Sequence, residues 1–81
     1  MKKVTVKEFK ILLAQRIKQL RTKSNLTQAE LAIKIGYKDK QVINNYEING
    51  ANPTAYNLVL LAKALDVTIN ELVDFSKLTG K

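Results

Sequence analysis

Residues 26–47 read LTQAELAIKIGYKDKQVINNYE, and the fold turns on them. Thr27 and Glu30 stand three apart, the spacing at which a threonine hydroxyl accepts from the third amide while the glutamate reaches back to the threonine amide. A helix over 28–35 follows, with Leu26 placed to staple onto Leu31 and Gly36 supplying the left-handed residue after its end. Ala32 is small enough to let another helix come close. After the turn Tyr37-Lys38, Asp39 is suited to cap a third helix through Glu47, whose Ile43 and Tyr46 face inward at i, i+3. Two short helices joined by a tight turn are thus expected.

The same logic extends outward. Thr5-x-x-Glu8 and Thr68-x-x-Glu71 repeat the capping signature and mark two further helix starts. The first helix is expected over 6–23, with Phe9, Leu13, Ile17 and Leu20 as its buried stripe and its lysines and Arg16 mostly off it. Asn25 follows where the chain must turn into the left-handed region. Asn49-Gly50 breaks the third helix, with Asn49 suited to positive φ. Pro53-Thr54 opens a fourth whose stripe is Leu58, Leu61, Ala62 and Leu65, and Val67, Ile69 and Leu72 belong to a short fifth. The pattern predicts an all-α, compact five-helix bundle, with residues 1–5 as an arm, 6–75 as the domain and 76–81 as a flexible tail. Val4 and Val6 alternate with polar residues and would also suit a short strand, but the Thr5 box favours helix initiation.

Eighty-one residues suffice for one domain, and 46% hydrophobic with 26% charged composition fits a globular chain. With no cysteine, packing or a partner must supply the stability. No stretch approaches the ~20 apolar residues of a membrane span, so a cytoplasmic location is expected. The net charge of +7 is one-sided: residues 1–40 hold 11 basic and 3 acidic groups, residues 41–81 hold 3 and 4. A basic half joined to a near-neutral half suits a polyanion on one face and packing on the other, or else a solvated basic surface. The absence of histidine and cysteine removes the usual proton shuttles, thiol nucleophiles and transition-metal ligands. No glycine-rich phosphate loop is present, so no enzyme activity, cofactor or metal is expected.

Residues 16–73 resemble the helix-turn-helix family of phage repressors, Cro proteins and xenobiotic-response-element regulators. The carrying residues are Leu26-Thr27-Gln28-Ala29-Glu30-Leu31-Ala32, Ile35-Gly36, Ile43, Tyr46-Glu47, Asn52-Pro53-Thr54, Leu61-Ala62-Lys63-Ala64-Leu65 and Val67-Thr68. Lys40 to Glu47 is similar to the corresponding stretch of multiprotein bridging factors, and Ala55-Tyr56-Asn57 to the lambda repressor. The run from Gly36 to Tyr46 is one residue longer than in the commonest repressors. Counted one residue shorter, the turn would bring Asp39 into the reading set.

The resemblance implies a sequence-specific double-stranded DNA-binding regulator, a small repressor or controller, reading the major groove with helix 39–47. Lys40, Gln41, Asn44 and Asn45 face out, and asparagine or glutamine pairs with adenine as lysine donates to guanine. It also implies that Gln28 contacts the DNA backbone from the first turn of its helix, although Gln28 also suits an ordinary polar first-turn role. Lys38, Asn49 and Asn52 would position phosphates, with Lys34 a weaker candidate. Arg21 and Glu47 would form a partly buried pair linking the first helix to the third.

Ile33, Leu60, Val73 and Phe75 lie off the stripes, as a partner surface would require, though scattered exposed apolar residues are ordinary. A homodimer using Leu60, Val73 and Phe75 is expected. The rival reading is a protein-interaction module on the same fold, an antitoxin facing a toxin or a coactivator bridging to transcription machinery. The shortness of 1–5 and 76–81 favours the stand-alone DNA binder, and Lys2 and Lys3 suit an arm along the duplex.

Overall fold

Four threonines start helices in the computed structural model, which describes residues 4–78. Its elements are α1 (Val6–Lys23), α2 (Gln28–Lys34), α3 (Gln41–Ile48), α4 (Ala55–Ala64) and α5 (Ile69–Leu72), followed by a 3₁₀ segment (Phe75–Leu78). All three expected capping boxes are closed in both directions: Thr5 with Glu8, Thr27 with Glu30 and Thr68 with Glu71, at 2.8–3.1 Å. The fourth start is Thr54, whose hydroxyl accepts from the Asn57 amide at 3.1 Å. Pro53 lies buried just before it.

The helix ends are equally regular. After α1, α2 and α4 the chain passes through one residue at positive φ, namely Asn25 (60°), Gly36 (91°) and Asp66 (59°). In each case the following amide returns to a carbonyl five residues back: Leu26 to Arg21, Tyr37 to Ala32, Val67 to Ala62. These are Schellman closures, which satisfy carbonyls that the helix itself leaves open. Asn49 departs from expectation. It remains right-handed at φ −92°, and Gly50 takes the positive φ of 65° instead.

Leu13, Ile17, Leu31, Ile43, Leu61 and Leu72 are fully buried at the centre. α1 packs on α3, α5 and the 3₁₀ segment, α2 packs on α3, and α4 packs on α5. Truncating one such leucine to alanine costs about 2–5 kcal/mol, so the core holds α3 by its inner face and leaves the outer face free.

Three expectations need correction here. Residues 76–78 are not loose: the 3₁₀ segment folds back on α1, with Phe75 edge-on to Phe9 at 5.8 Å between ring centres. Arg16 is not a surface cation. It is 6% exposed, with Nε and Nη2 donating to the Glu71 carbonyl at 3.0 and 2.8 Å and Nη1 to Gln19 at 2.6 Å. Val67 lies ahead of the Thr68 cap and not in the short fifth helix, which begins at Ile69 as expected and anchors through the buried Leu72. The helical start at Val6 leaves no strand at Val4 and Val6. The arm at Lys2 and Lys3 and the end of the expected tail at 79–81 lie outside the described residues.

Candidate nucleic-acid interface

The approach to the site is set by one ion-pair cluster. Arg21, in the last turn of α1, donates Nε to Glu47 Oε2 at 2.6 Å and Nη2 to Oε1 at 3.0 Å. Its Nη1 donates to the Leu26 carbonyl at 2.8 Å, and Gln28 Nε2 donates to Glu47 Oε1 at 3.1 Å. Glu47 is 1% exposed in its side chain. One carboxylate therefore ties the end of α1, the start of α2 and the last turn of α3. A planar guanidinium suits this because its fork meets both carboxylate oxygens at once. Gln28 thus has an inward bond that the sequence did not announce: one amide hydrogen is given to Glu47, and its carbonyl oxygen and second amide hydrogen are left over.

The turn between α2 and α3 is built by two local devices. Gly36 closes α2, and Asp39 Oδ1 accepts from the Gln41 amide at 2.9 Å. Asp39 thus stabilises the turn into α3, while Lys40, already near helical dihedrals at φ −73°, occupies the cap position without a side-chain bond. The helix begins at Gln41 and runs one residue further than expected, to Ile48. Lys38 and Lys40 are exposed beside it.

Along the outer face of α3 the side-chain amides form a ladder. Gln41 Nε2 and Asn49 Nδ2 both donate to Asn45 Oδ1, at 2.9 and 3.0 Å. Gln41, Asn45 and Asn49 are spaced i, i+4, i+8, so the ladder runs about 12 Å along the axis, close to the width of the major groove. The unspent groups follow from the inventory of an amide. Gln41 and Asn49 each keep a carbonyl oxygen and one N–H, the pair of functions that matches adenine. Asn45 keeps both N–H donors. Asn44 is half-buried with no side-chain hydrogen bond among the described residues, and Asn52 is exposed in the loop that follows. Fixing each amide by its neighbour lowers the entropy that such a face would lose on engaging any ligand.

Behind the ladder lies a polar node that the sequence reading did not foresee. Asn57, 9% exposed, donates its two amide hydrogens to the Tyr37 hydroxyl at 3.0 Å and the Tyr46 hydroxyl at 2.8 Å. Burial pushes the Tyr46 phenol above the ordinary tyrosine range, an effect that its bond to Asn57 partly offsets and the nearby Tyr37 reinforces. The available signal was a polar residue four before Leu61 on the inner stripe of α4. Arg16, three after Leu13 and four before Leu20, carried a similar one.

The apolar surface is placed differently from expectation. Leu60, Val73 and Phe75 are half-buried against the protein's own core, because α5 and the 3₁₀ segment fold back and Phe75 closes on Phe9. Among the described residues the strongly exposed apolar side chains are Tyr56, Ile48, Val6 and Ile33, with Val4, Ile11, Ile69, Tyr37 and Val59 less so.

Residues 17–72 match the sequence model of the helix-turn-helix family of the Cro, phage-repressor and xenobiotic-response-element type. The chain belongs to that family. It is 39% identical over 66 residues to multiprotein-bridging factor 1 of Candida albicans, a match covering 82% of this chain and 43% of that protein's length. The crystal structure of the restriction-modification controller protein C.AhdI from Aeromonas hydrophila superposes with a TM-score of 0.72 at 33% identity, over 78% of this chain and 94% of that one. A transcription factor from Neisseria termed NHTF and described as hypothetical shares the fold, with a TM-score of 0.77 at 22% identity over 100% of this chain and 94% of that one. No described helix of this helix-turn-helix protein is long and apolar enough to cross a membrane.

Proposed function

We propose that this protein binds double-stranded DNA sequence-specifically, as a small repressor or controller, with α3 in the major groove. The observation that carries the reading is the amide ladder Gln41–Asn45–Asn49, fixed side by side on an outer helix face. Such a face offers the donor and acceptor pairs that distinguish base edges. Lys38, Lys40, Asn52 and the free side of Gln28 surround it and serve the phosphates, a role supported by the excess of basic over acidic groups in residues 1–40. Asn44 stands at the margin of the reading set.

A homodimer fits this reading, with two α3 helices about 34 Å apart on an inverted repeat. Leu60 and Val73 contribute the rim of its interface, and Tyr56 and Val59 on the exposed side of α4 supply its centre. Phe75 takes a supporting part through Phe9. The near-neutral second half of the chain allows such pairing without the repulsion that two basic halves would meet.

The test is selection of bound duplexes from a random pool, with sedimentation of the free protein and of its complex. A single enriched inverted repeat and a two-to-one complex support the reading. The likeness to a bridging factor favours the rival, a module that binds other proteins. A pool that yields no enriched motif at modest salt decides for that rival.

A further inference from the structure

The Asn57 node determines which way a proton points. Its Nδ2 carries two hydrogens, and both are given to phenol oxygens, those of Tyr37 and Tyr46. A phenol that accepts this bond still owns one O–H, and that hydrogen must point away from the amide nitrogen. Tyr37 donates its O–H to no other described residue. It is 40% exposed and sits in the turn between α2 and α3, beside Lys38; on the proposed reading this turn joins the helix that crosses the DNA backbone to the one that enters the groove. Tyr46, 6% exposed on the inner side of α3, has no such outlet.

We propose that the Tyr37 hydroxyl is a DNA-phosphate contact, and that Asn57 is the positioning residue that turns its proton outward. The inference rests on the DNA-binding reading above and adds two residues to it. Asn57 does not touch the duplex. It holds the phenol oxygen by a hydrogen bond from a buried amide, so the hydroxyl can only donate outward, and a phosphate oxygen is purely an acceptor. Replacing Asn57 by aspartate reverses the sense of the bond at nearly constant shape: a carboxylate accepts, so the phenol proton turns inward and the outward donor is lost. The contact involves a neutral group, so it releases no counterion and carries no base information.

Binding of the wild type, Tyr37→Phe, Asn57→Asp and the double variant is measured by fluorescence anisotropy at several salt concentrations. The probes are the duplex recovered by selection and a random-sequence duplex of equal length. Tyr37→Phe is expected to weaken both duplexes by the same factor, about 3- to 10-fold, with an unchanged slope of log affinity against log salt. Asn57→Asp weakens both duplexes by at least that factor, since its added charge also opposes the phosphates, and Tyr37→Phe causes no further loss in the Asn57→Asp background, where the phenol proton is already turned inward. Scanning neutral methylphosphonates along the selected duplex finds one position at which wild type and Tyr37→Phe bind equally.

A Tyr37→Phe variant that binds both duplexes as the wild type does overturns the inference, as does a loss confined to the selected sequence or a changed salt slope. If Asn57→Asp does not fold, Tyr37→Phe with the methylphosphonate scan decides by itself. A wild-type chain that binds neither duplex overturns the DNA reading and this contact together. Wild-type binding with an unaffected Tyr37→Phe removes the contact alone.

Discussion

Arg21 grips Glu47 with two N–H groups, at 2.6 and 3.0 Å, while its third arm holds the Leu26 carbonyl at the threshold of α2. The pair is buried, with 12% and 1% of the two side chains exposed. Removing Arg21 leaves a carboxylate with no cation and little water. Arg21→Ala is therefore expected to cost about 3–5 kcal/mol of folding stability. Thermal melting checks it, and an Arg21→Ala protein that melts with the wild type would show that the pair contributes nothing.

Asn45 is the shared acceptor of the ladder on α3. On the proposed reading, Gln41→Ala is expected to remove one donor and acceptor pair from the face and to relax preference at one base pair, a loss of about 1–3 kcal/mol in discrimination. Asn45→Ala removes its own donors and also frees Gln41 and Asn49, so it relaxes preference at more positions. Repeating the duplex selection with each variant measures this. Equal relaxation by both would mean that the ladder does not organise the face.

Lys38 is exposed at the turn and makes no ion pair with a described residue. Its expected contribution is sequence-independent. Lys38→Ala should weaken selected and random duplexes alike and flatten the salt dependence by about 0.9 log unit per log unit of salt. A change of enriched motif in this variant would instead assign the lysine to base reading.

Much of this architecture is legible in the chain because its causes are local. Each T-x-x-E box needs only four residues to close, and Asn25 and Gly36 mark positive φ where the helix stripe stops. Asp66 closes α4 in the same way without a glycine to advertise it, and Asn49 keeps an ordinary φ because Gly50 follows. The contacts that position the site are harder to read. Arg16 meets the Glu71 carbonyl across 55 residues, and Asn57 meets Tyr37 across 20. No periodicity encodes such pairings, since they depend on which helix ends the packing brings together. The same holds for Gln28, whose inward bond exists only because Arg21 has already drawn Glu47 to that place.

The Arg16 contact has a consequence for the end of the chain. α5 has four residues and cannot persist alone, and its Glu71 carbonyl is satisfied by the Arg16 guanidinium. Arg16→Ala is expected to cost about 1.5–3 kcal/mol, the range for a hydrogen bond to a charged group. Amide hydrogen exchange should accelerate first over 68–78. Uniform acceleration across all helices would place the arginine in the global core instead.

Tyr46 links stability to pH in the alkaline range. Its folded-state pKa lies above the ordinary value of 10.0, chiefly because burial disfavours the phenolate. The folded chain therefore keeps a proton that the unfolded chain has already released. That contribution to stability is complete below pH 10 and is lost as pH rises through the folded-state pKa. Tyr46→Phe cannot release a proton there, so its stability should decline less between neutral pH and pH 11, although removing the hydroxyl that Asn57 addresses makes it less stable at pH 7. Urea unfolding of both proteins across this interval checks the point, since ionising groups shared by the two cancel in the difference. Phenolate absorbance should also lose its most delayed phase in Tyr46→Phe. Parallel stability curves would mean that Tyr46 titrates alike in the folded and unfolded chain, and that the Asn57 node lies open to water.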